Sequence, residues 1–227
     1  MEINNNLSQQ TIEENEQVIE ISTKNSIIQK PEIKKSIICF IGKNFSGKTT
    51  IINSLIFPSI QKQKKYIKTL SYDIRYLIND NLLIKIFDIG NFDIKSNIKL
   101  LNEIFNNSQI IFYVIDASNI ETINYINNFN DLSGKNLYLI MNKIDKQNII
   151  NKSNQEIKNL NNKYIIKKII EMSSLDINHL KNLKNFVLSE INDNNLFVSN
   201  EIFDYNPDFL YIKHKKQKDK KKKFFCM

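Results

Sequence analysis

A chain of 227 residues with 41% apolar side chains is long enough for one domain with a sizeable core and flanking tails. Its formal charge of +8 comes almost entirely from one run, Lys213 to Lys223, where eight lysines stand against Asp219, a net of +7. The two cysteines, Cys39 inside an apolar run and Cys226 one residue from the end, exclude a disulfide framework and point to a reducing, cytoplasmic setting.

Residues 1–32 are rich in Asn, Gln, Glu and Ser and contain no apolar run long enough for a signal peptide or a membrane span. They are expected to form a disordered acidic arm, in which Ile12, Val18, Ile19 and Ile21 would support at most a short amphipathic helix. Glu2 stands where N-myristoylation needs a glycine. Ile37 to Ile41 reads as a buried strand broken by Gly42, and Thr49 to Phe57 as a helix with Ile51, Ile52, Leu55 and Ile56 inward. Pro58 to Lys68 is polar and basic. Tyr72 to Ile78 and Leu82 to Phe87, joined by Asn79-Asp80-Asn81, carry a hairpin signal. A strand follows at Gln109 to Asp116, a helix at Glu121 to Leu132 and a strand at Asn136 to Asn142. A helix lies within Ile150 to Asn161, then a strand at Ile165 to Met172 and a helix at Ile177 to Ile191. This alternation predicts an α/β fold: a mostly parallel six-stranded sheet with one antiparallel strand and helices on both faces. The domain would span residues 33–192, with a C-terminal extension over 193–227.

The stretch around which the chain is organised is Gly42 to Thr49, which matches G-x-x-x-x-G-K-[ST] between a strand and a helix. In that setting the backbone N–H groups of Gly42, Lys43, Asn44, Phe45, Ser46, Gly47, Lys48, Thr49 and Thr50 are the candidate cradle for phosphates, at the positive end of a helix. Gly42 and Gly47 let the backbone bend and come close. Lys48 would bridge the β- and γ-phosphates, and the Thr49 hydroxyl would ligate Mg²⁺.

Ligands of parallel α/β sheets sit beyond the carboxyl ends of the strands, so chemistry is expected in the loops that follow them. Asp88, in Phe87-Asp88-Ile89-Gly90, can hold a water of the Mg²⁺ shell. Asn142-Lys143-Ile144-Asp145 follows another strand end. There a carboxylate accepts from both N1–H and N2 of guanine, an amide reads N7, and a lysine stem packs on the purine. Ser173-Ser174-Leu175 closes the next strand. A P-loop ATPase or kinase would leave residues 142–145 without a role.

With these motifs in this order, the chain over residues 34–192 resembles a small GTPase of the Ras superfamily. Gly42 to Thr49, Asn142 to Asp145 and Ser173 to Leu175 stand at the family's first, fourth and fifth guanine-nucleotide motifs. The Asp88 region is most similar to the Arf and Rag branches. The resemblance implies a P-loop fold, GTP or GDP as ligand, Mg²⁺, effector proteins, and exchange and activating proteins. It also implies that the Ser174 backbone N–H meets the guanine O6. Thr69, the only threonine between the first helix and Asp88, takes the place of the second-motif threonine, a ligand of Mg²⁺ that contacts the γ-phosphate. Lys48 and Thr69 are thus the candidates to act on the reacting phosphate. Pro58 to Thr69 and Gly90 to Asn97 would be the two switches.

The third motif departs from the family. Aligned on Asp88, Asn91 falls at the family's glycine and Phe92 at the glutamine that orients water; in the other register, Gly90 takes the glycine's role. Phenylalanine cannot orient water, so slow or absent hydrolysis is expected, and a non-hydrolysing scaffold subunit is the rival reading.

Asp116 is expected to cap the loop after its strand, and Arg75 to pair with nearby Asp73. His179 and His214 have no second metal ligand near them in sequence, so no zinc site is expected. The run Lys213 to Lys223, followed by Phe224 and Phe225, fits an anionic membrane surface better than a specific nucleic acid. Cys226 is a candidate for acylation but does not form a C-a-a-X box, since one residue follows it.

Overall fold

A computed structural model of the chain describes residues 32–58, 69, 71–90, 94, 96–119, 121–129, 132, 134–146 and 150–204, the side chains of 150–155 excepted. The arm before residue 32, the rest of the two switch segments including Asn91 and Phe92, and the tail with His214, Lys213 to Lys223 and Cys226 lie outside the described residues.

The strands are β1 (Lys34–Ile41), β2 (Tyr72–Asn79), β3 (Leu82–Ile89), β4 (Ile110–Asp116), β5 (Leu137–Asn142) and β6 (Ile166–Glu171). They form one sheet in the order β2-β3-β1-β4-β5-β6. Only β2 and β3 run antiparallel, joined by a tight turn in which Asp80 has φ 50°. The other neighbours are parallel. The expected sheet is therefore the one observed, with strands one to three residues longer or shorter at their ends.

The central strands are apolar on both faces because helices cover both. Along β1, Ile37, Cys39 and Ile41 enter one core, while Ile38 and Phe40 enter the other. The helices are α1 (Lys48–Ile56), α2 (Ile98–Asn107), α3 (Glu121–Asn124), α4 (Ile150–Lys163), α5 (Ile177–Asp193) and α6 (Asn200–Asp204). Ile51, Ile52 and Leu55 of α1 and Leu183, Val187 and Ile191 of α5 fill one layer. Leu101, Ile104 and Phe105 of α2, with Ile157 and Leu160 of α4, fill the other.

Two differences from the sequence expectations stand out. The helix predicted over Glu121 to Leu132 lasts one α-helical turn, passes into a 3₁₀ turn at Tyr125–Asn128, and becomes extended at Phe129. Asparagine competes for the backbone there, since the Asn128 amide donates to the Tyr125 carbonyl at 3.0 Å. Helix α2 was not expected at all, although Ile98, Leu101, Ile104 and Phe105 have helical spacing and the last three are buried.

Beyond α5 the chain turns back across the starting end of the sheet. The Val198 N–H donates to the Lys35 carbonyl at 2.8 Å, and Phe203 of α6 is buried in the α2 and α4 layer. Lys85, a buried lysine in the middle of β3, donates its ammonium to the Phe203 carbonyl at 2.5 Å and lies 5.4 Å from that ring. Burial lowers the Lys85 pKa, against the pull of Asp204.

Candidate functional site

The carboxyl ends of β1, β3, β5 and β6 deliver their loops to one cavity of about 350 Å³, a size suited to a small-molecule ligand. Asn44, Phe45, Gly47, Lys48, Thr49, Thr50, Thr69, Gly90, Lys143, Asp145, Ser174 and Leu175 line it, joined by Lys146, which the sequence analysis did not single out. Ser46, Asp88, Asn142 and Ser173 are buried immediately behind that lining, in the same loops. Gly42 and Lys43 complete the first loop.

That loop is built by its glycines. Gly42 has φ 145° and Gly47 φ 97°. A Cβ on Gly42 would stand 2.2 Å from the Val114 carbonyl oxygen, and one on Gly47 would stand 2.2 Å from the Asn142 amide nitrogen. Helix α1 starts from Gly47 with no side-chain cap and no acidic residue in its first turn, which keeps its amide-rich end suited to an anion. Phe45, at φ 66°, is 63% exposed at the cavity mouth.

Lys48 is only 6% exposed. Its ammonium donates to the carbonyls of Gly42 at 2.9 Å and Lys43 at 3.2 Å. Burial lowers its pKa to about 8, against the opposing charge of Asp88. The Thr49 hydroxyl donates to Asp88 Oδ2 at 2.5 Å and lies 3.3 Å from the Thr69 hydroxyl. The other oxygen, Asp88 Oδ1, is buried without a hydrogen-bond partner. Burial raises the Asp88 pKa, opposed by the Thr49 hydroxyl and by Lys48. Gly90 packs so closely that a Cβ there would meet the Thr69 carbonyl oxygen at 2.2 Å.

The loops after β5 and β6 meet the first loop through Asn142. Its amide nitrogen donates to the Ser46 carbonyl at 2.8 Å, and its amide oxygen accepts the Ser174 N–H at 2.9 Å. The amide that the sequence suggested as a base reader thus joins three loops, and the Ser174 N–H suggested for O6 is directed to it. We expect Asn142→Ala to orphan both groups, costing roughly 2–4 kcal/mol of stability. Urea unfolding of wild type and variant measures it.

Lys143 donates to Asp116 Oδ2 at 2.6 Å and to the Phe45 carbonyl at 2.5 Å. Burial of Asp116 works against its ionisation, but hydrogen bonds from Lys143 and Ser118 prevail and lower its pKa. Asp116 Oδ1 also accepts the Ser118 N–H at 2.9 Å. Asp116 thus caps its loop and anchors Lys143 as well. Arg75 pairs with Asp73 at 2.9 Å, as expected, and neither lines the cavity. Among the described residues there is no cluster of His, Cys, Asp and Glu that would hold a metal ion by itself.

A sheet of this order, with its first loop shaped for phosphates and three further strand-end loops around the same cavity, is the frame of a P-loop nucleotide-binding fold. The sequence model of the ADP-ribosylation factor (Arf) family matches residues 22–190, more than half of the chain. The chain belongs to that family of Ras-superfamily small GTP-binding switch proteins.

Proposed function

We propose that this protein is a Mg²⁺-dependent GTP/GDP switch with slow intrinsic hydrolysis, acting in signalling or membrane trafficking through effector proteins. The observation that carries this is the meeting of Lys48, Thr49, Thr69 and Asp88 at one end of the cavity. Two hydroxyls lie 3.3 Å apart beside a carboxylate. The partnerless, buried Asp88 Oδ1 belongs to the same group. Hard oxygen donors with a buried carboxylate suit Mg²⁺, which Thr49 and Thr69 would hold directly and Asp88 through water. The ion's chemistry there is to neutralise charge on the phosphates.

Lys48 binds and orients the terminal phosphates, the loop from Gly42 to Thr50 surrounds them with amides, and Asp145 selects the base. Thr69 lies next to Thr49, so a γ-phosphate that engaged Thr69 would pull on the segment before β2. That is the means by which the ligand's state would reach an effector. The run Lys213 to Lys223 would hold the protein at the cytoplasmic face of an anionic membrane, with about 1 kcal/mol for each lysine near the leaflet.

Asn91 and Phe92, neither of which supplies the family's water-orienting glutamine in either register, favour a second reading: a GTP-binding subunit that does not hydrolyse. The nucleotide recovered from purified protein and single-turnover hydrolysis of radiolabelled GTP test both. Guanine nucleotide with slow, Mg²⁺-dependent cleavage supports the switch, and tight GTP binding at the buffer's cleavage rate supports the scaffold. Displacement of bound GTP by ATP as readily as by GTP overturns either reading.

A further inference from the structure

His179, in the first turn of α5, stands behind the loop that follows β6. Its imidazole Nδ1 accepts the backbone N–H of Ser173 at 3.1 Å. Ser173 is 5% exposed, so its amide needs a protein acceptor. The rest of that turn closes on itself: Leu175 N–H donates to the Ser173 hydroxyl at 3.2 Å, and Asp176 N–H to the Ser173 carbonyl at 3.0 Å. Helix α5 does not require the imidazole. Asp176 already caps it, accepting the N–H groups of Asn178 at 2.8 Å and His179 at 3.3 Å. The same Nδ1 lies 3.6 Å from Asp176 Oδ2, beyond hydrogen-bond distance, so the Ser173 N–H is its nearer partner.

We propose that His179 is a positioning residue for nucleotide recognition, acting through the Ser173 to Leu175 turn and not by touching the ligand. The contacts form an unbroken series. His179 holds Ser173, the adjacent Ser174 N–H is held by Asn142 at 2.9 Å, and Asn142 holds the Ser46 carbonyl of the phosphate loop at 2.8 Å. Ser174 and Leu175 line the cavity directly. Loss of the imidazole acceptor frees one end of the turn that shapes the base side of the cavity, and the slack reaches the phosphate side through Asn142. This inference rests on the cavity being a guanine-nucleotide site and assigns a residue to holding its ligand.

The test is release of a fluorescent GDP analogue from the full chain in Mg²⁺, comparing wild type with His179→Ala, His179→Asn and His179→Gln. Asparagine carries an oxygen two bonds from Cβ, as histidine carries Nδ1, whereas glutamine's is one bond farther. The expected result is release about tenfold faster for Ala and Gln and within about twofold of wild type for Asn. Equal release from wild type and Ala, or from Asn and Gln, overturns the proposal. If the Ala variant does not fold, the Asn and Gln pair still decides it. A wild type that takes up no GDP analogue overturns the site reading itself, a different failure, and one visible before any variant is compared.

Discussion

Lys48→Met is expected to raise the melting temperature of nucleotide-free protein and, in the same molecule, to abolish retention of GTP and GDP. The ammonium is buried, and burial brings its pKa from 10.5 down to about 8. At 1.36 kcal/mol per unit, keeping that charge costs the nucleotide-free fold about 3 kcal/mol at neutral pH. The unfolded chain keeps the proton up to the ordinary lysine value, while the fold gives it up near 8. Stability therefore rises with pH between those two values, and the cost is complete below them. Methionine escapes that cost but loses the contacts to the Gly42 and Lys43 carbonyls, which return roughly 1 kcal/mol each. The balance favours methionine in the nucleotide-free fold. Against it, losing charge-assisted bonds to phosphate weakens nucleotide binding by about a hundredfold or more. Thermal melts of stripped protein at pH 7, paired with nucleotide content, read both signs. A lower melting temperature, or a variant that still holds nucleotide, contradicts the role given to this side chain.

Asp145→Asn should change the preferred base from guanine to xanthine. Guanine offers N1–H and an amino group at C2, both donors to a carboxylate. Xanthine keeps N1–H but carries a carbonyl at C2. An amide can accept from the first and donate to the second, so the substitution converts a matched pair into a mismatched one for guanine and the reverse for xanthine. Polar mismatches at a site built to hydrogen-bond its ligand discriminate by about a thousandfold or more. Asp145 lines the cavity beside Lys143 and Lys146, where such a pairing would be made. Competition of labelled GDP by unlabelled GDP, XDP and ADP against both proteins gives the answer. If the variant prefers GDP as strongly as wild type, Asp145 does not read the base.

The sheet was legible because strands covered on both faces are nearly continuous apolar runs, as in Ile37 to Ile41 and Ile110 to Ile115, and each ends at a residue that breaks it. The loops of the candidate site were legible for a related reason: their residues are contiguous, so spacing alone groups them. Contacts between distant segments were not. Asn142 and Ser46 are 96 residues apart, and Lys143 and Phe45 are 98 apart. Nothing in either stretch announces the other. Thr69 was reached through the family resemblance, as the threonine that takes the second-motif place, and the structure sets its hydroxyl beside Thr49. His179 was weighed only as a metal ligand, because its acceptor role depends on how β6 turns into α5. In α2 the signal was present at Leu101, Ile104 and Phe105, but asparagine and lysine, abundant throughout the chain, blurred it. After Glu121 the spacing of Ile123 and Ile126 reads as a longer helix, and the chain instead passes into a 3₁₀ turn among asparagines.

The place of Phe203 bears on how this protein can be shortened. Stopping the chain at residue 192, where the alternation of strands and helices ends, preserves every nucleotide motif and looks harmless. It would nevertheless pull a wedge from the interior, taking away the aromatic ring and the carbonyl against which the Lys85 ammonium rests. A charge sealed in the middle of a strand would then open to water through the gap. What reads as the start of a trailing end is the cork of the sheet.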